Sequence, residues 1–179
     1  MTREYMWNVI DIEGGFVDDP DDRGGMTNRG ITWGLYDRYC LSAGYTPDED
    51  EFKRMDDVLT EAIYVWAFIT PLQINKIASN LTKEAIFDAA VLHGGWRAMR
   101  MAQRVIGGLK IDGRIGPITR KALNGAPPVS FANDLAIRRV LFVDRLVQRY
   151  PKQVKYLAGW HTRIVRFIRP TLAESDGGS

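Results

Sequence analysis

Cysteine is almost absent from this 179-residue chain: Cys40 stands alone, so no intrachain disulfide and no cysteine-based metal cluster can form. Histidine is nearly as scarce, and His93 and His161 lack the close spacing of a zinc motif. No stretch approaches the ~20 apolar residues needed to span a bilayer. At the N-terminus Arg3, Glu4, Asp11 and Glu13 interrupt any apolar run, so the segment does not read as a signal peptide. Cys40 lies in an amphipathic run, Leu35 to Leu41, and reads as a small core residue rather than a nucleophile.

What is present is ordinary for a globular domain: 45% hydrophobic and 26% charged residues. A chain of this length buries roughly two-thirds of its unfolded surface and can fold without metal or disulfide. The net charge of +2 conceals an asymmetry. Residues 1–60 carry 14 acidic and 6 basic side chains, whereas residues 133–170 carry 9 basic and 2 acidic ones. A basic C-terminal part can hold an anionic polymer or surface, or can simply be a solvated helix face.

Apolar spacing predicts helices over about 2–12, 33–41, 56–68, 82–106, 117–123, 130–150 and 151–168. Gly14-Gly15 stops the first, and Gly107-Gly108 ends the long run from Thr82. Pro117 and Pro151 suit first helical turns, Ser130 suits an N-cap, and Pro47 to Glu51 reads as an acidic linker. Ala126-Pro127-Pro128 is the clearest interior linker. Residues 16–32, rich in Gly, Asp, Pro and Thr, predict a loop or small β-hairpin. The expected fold class is α+β and mainly helical, with a small β-lobe near the N-terminus. The tail from Ala173 to Ser179 is expected to be disordered.

The chemistry concentrates between Glu13 and Thr32. Glu13 falls on the apolar stripe at the end of the first predicted helix, beside two glycines that leave open space. Apolar surroundings and the negative end of a helix dipole both raise a carboxyl pKa, and a protonated acid is what cleavage of a glycosidic bond requires. A solvent-facing glutamate at a helix end is the plain alternative. The second carboxylate of such a reaction has four candidates: Asp18, Asp19, Asp21 and Asp22. A calcium loop beginning at Asp19 fails, because Arg23 takes the fifth position and Gly30 the twelfth. Gly24-Gly25 also lacks the Gly-Lys-Ser/Thr ending of a phosphate loop.

This segment contains Glu13-Gly14-Gly15-Phe16, then Asp19-Pro20-Asp21-Asp22-Arg23-Gly24-Gly25-Met26-Thr27-Asn28-Arg29-Gly30-Ile31-Thr32. It resembles the signature of glycoside hydrolase family 108, the muramidases of phage endolysins and related bacterial proteins. Further on, Phe87-Asp88-Ala89-Ala90-Val91-Leu92-His93-Gly94 is similar to a helix of the same family, with Leu92 where Asn is usual. Asp112-Gly113-Arg114-Ile115-Gly116-Pro117-Ile118-Thr119 and Gly159-Trp160-His161-Thr162-Arg163 resemble motifs of predicted peptidoglycan-binding domains. Together the similarities extend over residues 4–168.

The resemblance implies a lysozyme-like fold: a catalytic region over 1–92 and a helical peptidoglycan-binding region over 93–170. It implies hydrolysis of the β-1,4 bond between N-acetylmuramic acid and N-acetylglucosamine, with Glu13 as acid and Asp22 and Thr27 as partners. Eight residues separate Glu13 from Asp22, as in phage lysozymes, but only four separate Asp22 from Thr27. Asp21 would restore the usual five, so the second acid stays open between the two. Tyr36, Asn28 and His93 are candidate substrate contacts, although His93 also suits a structural role. No metal or cofactor is implied. The expected partner is bacterial peptidoglycan, with an anionic outer-membrane surface as a further contact of the basic C-terminal helices through Arg163, Arg166 and Arg169. Nucleic acid is not expected, and a monomer is. The protein would be made in the host cytoplasm and act on the wall after release. A lytic transglycosylase and an inactive wall-binding protein are the alternatives.

Overall fold

The computed structural model describes residues 4–10, 14–18 and 25–170. Glu13, Asp21, Asp22 and the C-terminal tail lie outside the described residues. Among the described residues the chain is lysozyme-like and mainly helical, with one small antiparallel hairpin near the N-terminus.

Helix α1 spans Glu4–Ile10 and buries Tyr5, Met6, Val9 and Ile10, the stripe that the apolar spacing marks out. Strands β1 (Thr27–Asn28) and β2 (Ile31–Thr32) form the hairpin, with Thr27 opposite Thr32 and Asn28 opposite Ile31. Its two-residue loop is Arg29-Gly30, both at positive φ, 50° and 74°. Positive φ at both central residues is what the right-handed twist of a tight hairpin requires. Thr32 then caps helix α2 (Trp33–Ala43), its side chain accepting from Leu35 N.

Helix α3, Glu49–Lys53, occupies the segment expected to be an acidic linker. Asp48 caps it by accepting from Glu51 N, and acidic residues in its first turn suit the helix dipole. Helix α4 (Asp57–Tyr64), capped by Asp56, passes into a π-turn over Val65–Ile69 closed by Thr70 N donating to Val65 O at 2.9 Å. Such wide turns recur at functional sites.

The long run expected from Thr82 to Ile106 is two helices, α5 (Asn80–His93) and α6 (Gly95–Ile106). Gly94 breaks it at φ 82°, ψ 143°, a backbone state that glycine adopts without penalty. Helix α5 is buried on nearly every side, from Ala85 through Ala90, and packs against α1 and α6. Helix α7 (Pro117–Gly125) opens on proline and α8 (Pro128–Arg149) follows after two residues. Helix α8 begins at Pro128 rather than from a Ser130 cap, because proline's missing N–H is no loss in the first turn. A 3-10 turn over Pro151–Gln153 leads into α9 (Val154–Val165), which packs on α8, and α8 in turn packs on α5 and α6. No helix among the described residues is long and apolar enough to cross a membrane.

Candidate active site and wall-binding region

The segment after Glu13 is tied to the hairpin. Val17 N donates to Thr27 O at 2.7 Å, and Thr27 N donates to Val17 O at 2.8 Å. Gly14 and Gly15 bound a cavity of about 370 Å³ together with Trp7, Ile10, Arg29 and Asp57. A Cβ on either glycine would meet no atom of the described residues within 4 Å. Arg29 forms an ion pair with Asp57 inside this cavity, and Tyr64 Oη donates to Arg29 O at 2.8 Å, fixing the hairpin loop. The Asp57 side chain is 68% exposed, so this pair lies at the surface rather than in the core.

A second cavity, about 550 Å³, is lined by Gly30 and Thr32 of the hairpin, Arg38 of α2, and Trp66 and Phe68 of the π-turn. Trp66 is 36% exposed and meets Tyr39 edge-on at 5.7 Å between ring centroids. The two cavities therefore flank the Arg29-Gly30 loop. Sequence reading did not single out Arg29, Asp57 or Trp66. Arg29 lies inside the signature, but the other two carry no local signal.

Of the expected site residues, Thr27 stands on β1 with its hydroxyl donating to Gly25 O at 3.3 Å. Asn28 does not face a cleft. Its side chain is buried and donates to Phe52 O at 2.7 Å and Lys53 O at 3.1 Å, covering carbonyls at the end of α3. Tyr36 is fully buried against Trp33 and Phe52, with its hydroxyl bonded to Glu51 and accepting from Asp48 N. It has no ring face free for a sugar, and burial together with Glu51 raises its pKa.

His93 is buried near α8, where its Nε2 accepts from Arg139 Nε at 3.3 Å. Burial, then the Arg139 charge, lowers its pKa to about 3. A neutral ring holding a guanidinium is a structural arrangement, and it leaves His93 outside both hairpin cavities.

Beside His93 lies Asp88, fully buried, accepting from Arg139 Nη2, from Arg163 Nε at 2.8 Å and from Arg166 Nη2 at 3.0 Å. Burial pushes its carboxyl upward, but the three guanidiniums outweigh this and hold it below the usual range. Arg166 Nη1 also reaches Asn8 O of α1 at 3.1 Å. Arg163 and Arg166, expected on an outer basic face, thus turn inward, whereas Arg169 remains exposed.

The turn before α7 is likewise organised from within. Gln103 donates to Asp112 Oδ1 at 2.9 Å and to Arg114 O at 3.0 Å, and accepts from Gly113 N at 2.8 Å. The Gln103 bond to Asp112, then Arg114 N donating to Asp112 Oδ1 at 2.9 Å, lowers the Asp112 pKa. Trp96 donates to Asp112 O at 3.0 Å and packs where a Gly113 side chain would stand.

A sequence profile described as Glycosyl hydrolase 108 matches residues 6–94. A second, described as Predicted Peptidoglycan domain, matches residues 97–165. Residues 6–94 belong to glycosyl hydrolase family 108. This family 108 hydrolase also resembles a solved structure titled "Structure of Brucella abortus SagA", with TM-score 0.73 and 25% identity, over 96% of this chain and 98% of that one. No curated protein matches the sequence. The two profiles make the family 108 hydrolase a glycoside hydrolase acting on peptidoglycan, and peptidoglycan its binding partner.

Proposed function

We propose that the chain is an N-acetylmuramidase of endolysin type, hydrolysing the β-1,4 bond between N-acetylmuramic acid and N-acetylglucosamine. The catalytic region is residues 1–92, and residues 93–170 hold the wall. Glu13 gives its proton to the leaving glycosidic oxygen. Asp22 stabilises positive charge at the anomeric carbon or takes a proton from water, and Thr27 orients that water. The hydroxyl of water ends on the muramic acid carbon, leaving a reducing end.

The observation that carries this reading is the open cavity along Gly14-Gly15, immediately after Glu13 in the chain and bounded by the Arg29–Asp57 pair. Two residues without side chains leave room for a polysaccharide beside an acid. Trp66, with a half-open ring on the adjoining cavity, takes the sugar-stacking role expected of Tyr36. As an endolysin the protein would be made in the host cytoplasm and would meet its substrate after release.

Digestion of purified peptidoglycan by wild type and Glu13→Gln, with mass spectrometry of the new ends, tests the reading. Reducing muramic acid ends, lost in the variant, support it. Anhydro ends would assign a transglycosylase instead. Absence of products from wild type, with binding retained, would leave a wall-binding protein.

A further inference from the structure

On the outer side of α8, away from α5, Asp134, Arg138, Leu141 and Arg145 follow one another at intervals of four, three and four residues. They therefore share one helix face. Arg104 of α6 stands across from them, and the two helices enclose a groove of about 600 Å³. Its size falls within the range of small-ligand sites. Two features set it apart from an ordinary solvated surface. Ile137 is 50% and Leu141 49% exposed, on a helix whose opposite face already supplies the core with Leu135, Ala136 and Val143. The three guanidiniums of Arg104, Arg138 and Arg145 also have no hydrogen-bond or ion-pair partner among the described residues. Arg139, next in the chain, is by contrast fully engaged by Asp88.

From this groove we infer a binding site for the stem peptide of peptidoglycan. The inference rests on the chain acting on peptidoglycan and says which part of that polymer the second region grips. Stem peptides are short, extended chains with several free carboxylates, methyl side chains and, at an uncrosslinked diamino acid, a free amine. Arg138 and Arg145 are seven residues apart, about 10.5 Å along the helix. Three residues of extended peptide cover about 10 Å, so carboxylates at that spacing meet both guanidiniums. Methyl groups between them would cover Leu141 and Ile137. Arg104 supplies a third anion contact from the facing wall, and Asp134 can accept from the amine. The carboxylate in the groove also argues against a lipid surface, since it would repel anionic headgroups that the three arginines attract.

Titration calorimetry on the full chain with the free tetrapeptide L-Ala–D-Glu–diaminopimelate–D-Ala is the direct test. We expect binding that weakens with salt. Arg138→Glu and Arg145→Glu should each weaken it about tenfold, the effect of one lost charge-assisted hydrogen bond. Both side chains are exposed, so the melting temperature should not move and misfolding is not a confounding cause. A second arm compares cleavage of intact sacculi with cleavage of glycan strands stripped of peptide by an amidase. The double variant should lose activity on sacculi and keep it on bare glycan. If wild type cleaves neither substrate, the muramidase reading fails, while the peptide titration still decides the groove. Absence of peptide binding, equal binding by variants and wild type, or loss confined to phosphatidylglycerol vesicles would each overturn the proposal.

Discussion

Asp88 Oδ1 accepts from Arg163 Nε at 2.8 Å, joining residues that lie 75 apart in the chain and in the two separately matched segments. The two regions are therefore fastened through a buried carboxylate, with Arg139 and Arg166 completing the clasp. Arg166 extends it to α1, the helix that leads to Glu13.

Asp88→Asn should destabilise the whole chain rather than one region. It leaves three guanidiniums gathered around a neutral amide, and breaking a buried pair costs about 3–5 kcal/mol. Urea denaturation should show a single transition at a lower midpoint. An unchanged midpoint, or loss of only the C-terminal part, would contradict the clasp.

The same cluster sets a pH dependence. Unfolded His93 takes a proton near its ordinary 6.5, whereas the folded residue resists until about 3. The depressed value means that stability is fully present above pH 6.5 and is lost as pH falls toward 3. At about 1.4 kcal/mol per unit, the loss over the whole range is on the order of 5 kcal/mol. The lowered carboxyl of Asp88 adds to it at the acid end. Urea midpoints between pH 7 and pH 4 should fall for wild type and fall less for His93→Gln, and parallel curves would show that His93 is not the group responsible.

Much of this molecule is legible in the sequence where backbone chemistry is local. The small hairpin within residues 16–32 and the helix start at residue 33 are read correctly, because the positive φ of Gly30 and the side-chain cap of Thr32 that make them belong to single residues. The break at Gly94 is hidden because apolar spacing continues through it, from Ile86 and Ala90 to Ala98 and Met101. Helix α3 is hidden for the opposite reason. Its composition is that of a linker, and its far end is satisfied by Asn28, a residue 24 positions away. Tyr36, expected at a cleft, is covered, and Trp66, which carries no local signal, stands partly open, because only tertiary packing decides which aromatic ring is covered. Asp88 is visible as a motif residue, but its three arginine partners lie 51 or more residues further along the chain.

Gly113 gives a test confined to the second region. A Cβ there would lie 2.5 Å from Trp96 Cδ1 and 2.9 Å from Trp96 O, and the backbone sits at φ +75°. The ring can tilt, but the carbonyl oxygen cannot move without disturbing α6. Gly113→Ala should therefore cost about 2 kcal/mol or more, combining overpacking with left-handed strain. Thermal unfolding should register it as a clear drop. A melting temperature equal to wild type would mean that this turn relaxes freely.

The Arg29–Asp57 pair separates stability from activity. With side chains 33% and 68% exposed, it should contribute under about 1 kcal/mol to folding. Its place on the cavity wall beside Gly14-Gly15 suits it to a different use under the proposed function, since a fixed guanidinium and carboxylate can orient sugar hydroxyls next to the proposed acid, Glu13. Asp57→Asn should leave the denaturation midpoint nearly unchanged and lower kcat/KM on peptidoglycan about tenfold, as expected for about 1.4 kcal/mol of lost transition-state contact. Arg29→Lys should fall in between, because the charge survives while the planar fork does not. Wild-type kcat/KM in both variants would place the productive sugar site elsewhere, on the Trp66 side of the hairpin loop.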